Sequence, residues 1–190
     1  MMTPILISTF LYYSKQEQRT IAAIAKAKEL KNIHKIYNVD KEVLETLLDV
    51  ESNNNMLAKR FEPSQVKKAK KLAKVYPDAD PKDLASSHCS AQILASTAHT
   101  LGVDPRTLSD ELTCKETALM YFNKMKTLCY QIGVRGKENL IKCAAEKYNG
   151  SGEKAKNYAT KFMAKLYKKN PNLFNKHNVY AKTIKDKGNG

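Results

Sequence analysis

Glycine and proline are scarce in this 190-residue chain, at seven and six residues. Long stretches therefore lack any residue that forces a turn. Ala, Leu and Lys are abundant instead, and the composition predicts a mostly helical, all-α protein. Cysteine is limited to Cys89, Cys114, Cys129 and Cys143. They form no CxxC pair, and no His sits at zinc-finger spacing, so neither a metal site nor a cofactor is expected. Two disulfides in any of three pairings, or buried free thiols, both fit four cysteines. No apolar run is long enough to span a bilayer. The longest candidate, residues 5–13, is too short, and it lacks the basic flank and cleavage site of a signal peptide. It reads as a buried N-terminal segment. Arginine is confined to Arg19, Arg60, Arg106 and Arg135. Readers of DNA sequence lean on Arg for guanine, and no helix-turn-helix pattern is evident, so no nucleic-acid partner is expected. There is no internal repeat and no low-complexity linker.

What the chain has in excess is positive charge. Thirty-three basic residues face 19 acidic ones, for a net +14. Residues 135–190 hold 14 Lys or Arg against 4 Asp or Glu, so +10 of that charge lies in the C-terminal part. Such a surface attracts polyanions: nucleic acid, anionic lipid, or the polymers of a cell envelope. Hydrophobic residues make up 42% of the chain, enough for one domain with a sizeable core.

Apolar periodicity predicts helices over residues 16–30, 64–75, 90–101, 113–131, 138–148 and 153–167, and over the stretch that Asp40 opens as N-cap. That last helix carries Val43, Leu44, Leu47, Leu48 and Val50 on one stripe and stops at Asn53-Asn54-Asn55. Phe61-Glu62-Pro63 is expected to be extended, because proline disfavours helix in its predecessor. Asp104-Pro105 opens a short helix. The chain divides into an N-terminal helical segment (1–35), a central unit (36–168) and a basic tail (169–190), which together make one globular domain.

Glu51 is the residue that carries chemistry. It closes an apolar helix, where the negative end of the helix dipole and neighbouring apolar side chains both disfavour ionisation. A carboxyl group protonated near neutral pH can donate to a glycosidic oxygen. Taken alone, a Glu at a helix end is more often an exposed surface residue.

Four segments in order alter that balance. Glu51-Ser52-Asn53-Asn54-Asn55 resembles the Glu-Ser motif of the soluble lytic transglycosylase and goose-type lysozyme group. Arg60-Phe61-Glu62-Pro63 is similar to a segment that follows the catalytic Glu in phage muramidases and transglycosylases. Residues 87–94, with Thr97-Ala98 and Leu101-Gly102, resemble the group's Gly-Leu-Met-Gln-Ile…Thr-Ala…Leu-Gly segment. Tyr148-Asn149-Gly150 resembles its Tyr-Asn-Ala-Gly motif. The matches span about residues 39–167. Three positions depart from the pattern. Cys89 stands where the group has Gly, Ser90-Ala91 replaces Leu-Met, and Ser151 separates Gly150 from Gly152. A missing glycine matters only where the backbone needs positive φ or a close approach.

The resemblance implies a lysozyme-like helical fold and a peptidoglycan-degrading glycosidase, with glycan strands as partner. It implies that Glu51 is the general acid and then the base. Ser52 would help orient it, Gln92 would contact sugar or a backbone carbonyl across the cleft, and Tyr148 and Asn149 would line the cleft facing Glu51. Glu62 is a candidate second carboxylate, although pairing with Arg60 is its preferred role. A single essential acid implies a lytic transglycosylase, in which the substrate's N-acetyl group assists and a 1,6-anhydro ring forms; attack by water would make a lysozyme. The basic C-terminal half, with Lys161, Lys165, Lys168 and Lys169 among Phe162, Leu166 and Tyr167, is expected to meet anionic envelope polymers or lipid. The site of action is expected outside the cytoplasm. Without a signal peptide, release through a phage holin, carriage in a virion or another export route would deliver the enzyme. The competing readings are a non-catalytic glycan-binding protein of the same fold and a basic nucleic-acid-binding helical protein.

Overall fold

The computed structural model describes residues 28, 29 and 32–174. The apolar segment 5–13, most of the helix expected over 16–30 and most of the basic tail lie outside the described residues. The protein is mostly helical. Its main elements are α1 (Lys41–Ser52), β1 (Lys59–Phe61), α2 (Val66–Leu72), α3 (Pro81–Leu84), β2 (Ser86–His88), β3 (Ile93–Leu94), α4 (Ala95–Thr100), α5 (Glu111–Gln131), α6 (Lys137–Asn149) and α7 (Glu153–Lys169). Short 3-10 turns precede α2 at Pro63–Gln65 and α5 at Pro105–Thr107.

The helix starts follow from local chemistry. The Asp80, Asp104 and Asp110 carboxylates accept from the backbone N–H of Lys82, Arg106 and Thr113, each at an element's first turn. Asp40 occupies the N-cap of α1, but its side chain makes no cap bond there. It pairs instead with Lys137 at 3.1 Å, tying α1 to α6. The asparagine run ends α1 as its composition predicts. Asn53 (φ 53) and Asn54 (φ 60) are left-handed, and their N–H groups close back on the Asp49 and Leu48 carbonyls, which caps the helix end.

The apolar stripe of α1 is buried: Val43, Leu44, Leu47 and Leu48 face α5 and α7. Helices α5, α6 and α7 pack in sequence order, and α7 returns onto α1. Phe122, Phe162 and Tyr158 stack through this core, with ring centroids 6.1 and 6.5 Å apart. A smaller cluster of Ala69, Leu72, Leu84, Ala85 and Ala95 holds α2, α3 and α4 together.

Between these two clusters lies an antiparallel sheet of order β1-β2-β3, with Arg60 opposite Ser87 and Ser87 opposite Leu94. No periodicity in the sequence signals it. The helix expected over 90–101 is also shorter than its apolar pattern: only Ala95–Thr100 is α-helical. Cys89 (φ 60) and Gln92 (φ 50) bound a tight turn between β2 and β3, and positive φ at both positions excludes a helix through them. The cysteines form two disulfides, Cys89–Cys114 and Cys129–Cys143, so the free-thiol alternative does not hold.

Candidate active site

The three antiparallel strands and the ends of the large helices enclose a cleft of about 200 Å³. Glu51 enters it from the last turn of α1. Arg60 and Glu62 come from β1 and its exit, Ser64 and Gln65 from the following turn, and Gln92 from the start of β3. Thr97 of α4, Tyr121 of α5, and Tyr148 and Asn149 at the end of α6 complete the wall. Residues from the four resembling segments, up to 98 positions apart between Glu51 and Asn149, thus share one cavity.

Glu51 is largely withdrawn from water, and burial pushes its carboxyl from the ordinary 4.5 up to about 7. Two interactions oppose that rise. The Tyr158 hydroxyl donates to Glu51 Oε1 at 2.7 Å, and the Arg60 guanidinium favours the carboxylate. The balance leaves Glu51 about half-protonated near neutral pH. Tyr158 holds Oε1 as an acceptor, so Oε2 is the oxygen that carries the exchangeable proton. The Tyr158 and Tyr148 hydroxyls are both pushed upward, mainly by burial and then by the Glu51 charge, so they remain donors at any pH the fold tolerates.

Glu62 faces the same cleft but is engaged. Arg60 Nε donates to its Oε1 at 2.6 Å. That geometry agrees with the preferred pairing role.

Three other residues of the expected site, Ser52, Tyr148 and Gln92, converge on one short segment, the turn 89–92. Ser52 does not line the cleft; its hydroxyl donates to the Ser90 carbonyl at 2.8 Å. The buried Tyr148 donates to the Ala91 carbonyl at 2.9 Å while its ring forms cleft wall. Gln92 Nε2 donates to the Cys89 carbonyl at 3.0 Å and to Ala58 at 3.3 Å, and its Oε1 accepts from Ser87. These contacts satisfy backbone carbonyls that the turn leaves without sheet partners. Gln92 and Tyr148 thus shape the cleft and face it at once; Asn149 is exposed at its rim.

Cys89 has the left-handed backbone that its replacement of glycine put in question. The disulfide to Cys114 anchors this residue to α5, so a side chain at positive φ is retained where glycine would be unstrained.

Tyr158 and Tyr121 are the functional candidates that sequence reading passes over. Tyr158 looks like one more aromatic of the α7 apolar face, four residues before Phe162, and its partner lies 107 positions away. Its burial in a helix together with a polar tip was the only available signal. Among the described residues, no group of three or more His, Cys, Asp or Glu is placed to hold a metal ion.

No protein-family model, curated protein or solved structure matches the chain.

Proposed function

We propose that the protein is a glycosidase of the single-acid kind: one buried carboxyl protonates a glycosidic oxygen within a polar cleft. More particularly, we propose a lytic transglycosylase acting on the β-1,4 bond between N-acetylmuramic acid and N-acetylglucosamine in peptidoglycan. The observation that carries the reading is Glu51: a carboxyl raised to about 7, in a cleft, with one oxygen held by Tyr158. A helical body around a small antiparallel sheet, with the acid at the end of a buried helix, supports a lysozyme-like fold.

The steps follow from that residue. Protonated Glu51 gives its proton to the leaving sugar oxygen as the bond to C1 breaks. The muramic N-acetyl oxygen stabilises the cationic centre from the substrate's own side. Glu51, now ionised and stabilised by Tyr158 and Arg60, takes the proton of the muramic C6 hydroxyl. That oxygen attacks C1, the 1,6-anhydro ring closes, and Glu51 is protonated again. A two-carboxylate hydrolase would use Glu62, and the 2.6 Å pair with Arg60 argues against that use. Two disulfides accord with an oxidising site of action outside the cytoplasm.

The test is turbidity loss of purified peptidoglycan with wild type and Glu51→Gln, plus mass spectrometry of the released fragments. Clearing by wild type alone, with anhydro-muramic ends, is expected, and Glu51→Gln should lower the rate by about 10²–10⁴-fold. Reducing ends would make the enzyme a lysozyme. No clearing by folded wild type would overturn the reading.

A further inference from the structure

We propose that α2 and the turn after it form a docking rim for phosphodiester polymers carried on the wall glycan; this rests on the peptidoglycan reading above. Lys67, Lys68, Lys70, Lys71 and Lys74 are all exposed. Among the described residues none of them makes an ion pair, whereas Lys41, Lys59, Lys115, Lys137, Lys165 and Lys169 each pair with a carboxylate. Residues 63–77 contain no Asp or Glu at all. The opposite face of α2, Ala69 and Leu72, is buried in the smaller core, so the lysines are held on one rigid outward surface.

The position of that surface gives it a meaning. Ser64 and Gln65 line the cleft, and α2 begins at the next residue. Gln65 is fixed by the Ser96 hydroxyl, which donates to its Oε1 at 3.1 Å. At a rise of about 1.5 Å per residue, Lys67 lies within one turn of the cleft edge and Lys71 about 9 Å beyond it, with Lys74 in the turn that follows α2. Neighbouring lysines along this rim are spaced within the Debye length of about 8 Å in physiological salt, so the five like charges act as one patch. A glycan strand occupying the cleft would carry its covalently attached anions past this rim. Repeated phosphodiesters, which keep their charge at all working pH values, fit it. The four-arginine sequence disfavours base readout, so nucleic acid is the weaker occupant.

The experiment measures sedimentation binding of the Glu51→Gln protein to two wall preparations, one retaining its phosphodiester polymer and one stripped of it by hydrofluoric acid. Two charge variants accompany it: Lys67, Lys68, Lys70, Lys71 and Lys74 all to Gln, and a control with Lys154, Lys156, Lys161 and Lys168 to Gln. Circular dichroism checks the fold of each. The rim variant is expected to bind polymer-bearing walls about 10-fold more weakly or worse, and to match its parent on stripped walls and in high salt. The control is expected to stay close to the parent. Equal losses in both variants would overturn the proposal in favour of bulk charge. So would unchanged binding of the rim variant, or a defect seen only with a polynucleotide. Cleavage of stripped glycan by the protein with Glu51 intact tests the peptidoglycan reading separately.

Discussion

The carboxyl on which the proposed chemistry rests is short of water. Glu51 shifts from 4.5 to about 7 mainly because burial penalises its anion. Its negative partner at the helix end, the α1 dipole, acts in the same sense. The unfolded chain releases this proton at the ordinary value, so the folded state holds a proton that the unfolded state has lost between pH 4.5 and about 7. Stability attached to Glu51 is therefore present below pH 4.5 and lost as pH rises through about 7, to the extent of about 3 kcal/mol. Thermal melts of Glu51→Gln should lie above wild type near pH 9 and converge near pH 4; an equal gap at both would sink the argument. Tyr158→Phe removes the donor that favours the carboxylate, so the Glu51 value should rise further. Under the proposed mechanism, activity needs the protonated acid and falls on the alkaline side. The variant's alkaline limb in kcat/KM should therefore move to higher pH, and a limb that stays put or moves down would exclude Tyr158 as the tuning group.

At the scale of elements, the turn 89–92 holds the site together. It receives Ser52 from α1, Tyr148 from α6, Gln92 from its own end and a covalent bond from α5. Residues resembling a sugar-binding motif are thus spent largely on backbone carbonyls. Breaking the Cys89–Cys114 link opens a loop of 25 residues, and urea unfolding should show a loss of about 3 kcal/mol. Cys89→Gly/Cys114→Ala should recover about 1 kcal/mol relative to Cys89→Ala/Cys114→Ala, because glycine takes φ 60 freely. Identical midpoints for the two double variants would show that the left-handed backbone costs nothing there. Tyr148→Phe leaves the buried Ala91 carbonyl without its donor and should cost about 1–3 kcal/mol by the same measurement.

At the scale of the molecule, the described residues form two apolar clusters of unequal size packed against the small sheet. The larger contains α1 and the Phe122–Phe162 stack; the smaller supports the lysine-bearing α2. Leu47 is 1% exposed in the larger cluster, and Leu47→Ala should cost about 2–5 kcal/mol of global stability. The cost reports packing alone, because Ala is the better helix former. A loss below about 1 kcal/mol in urea would mean that this core collapses around the gap. Charge is distributed on the same scale: paired lysines tie α7 to α1 through Asp49, while the unpaired set stands beside the cleft.

Helices α1, α5, α6 and α7 were legible in the sequence because each carries its own period and its own stops, such as Asn53-Asn54 and Gly150-Ser151-Gly152. Glu51 was legible as a candidate because its helix end is local. The Arg60–Glu62 pair was legible for the same reason, being two residues apart. The three-residue strands were not, since Ser86-Ser87-His88 has no pattern until β1 and β3 pair with it. Cysteine pairing, the Tyr158 contact and the role of Ser52 were not legible either. Each depends on partners between 14 and 107 positions away, and no local periodicity encodes which buried groups will meet. The sequence by itself determined where the large helices run, how α1 ends and which acid sits at its terminus, because those are short-range properties of the chain. Only the tertiary structure decided that this acid is dry, that a tyrosine holds it and that a cross-linked turn forms the cleft floor, because desolvation and long-range hydrogen bonding exist only once the elements have packed.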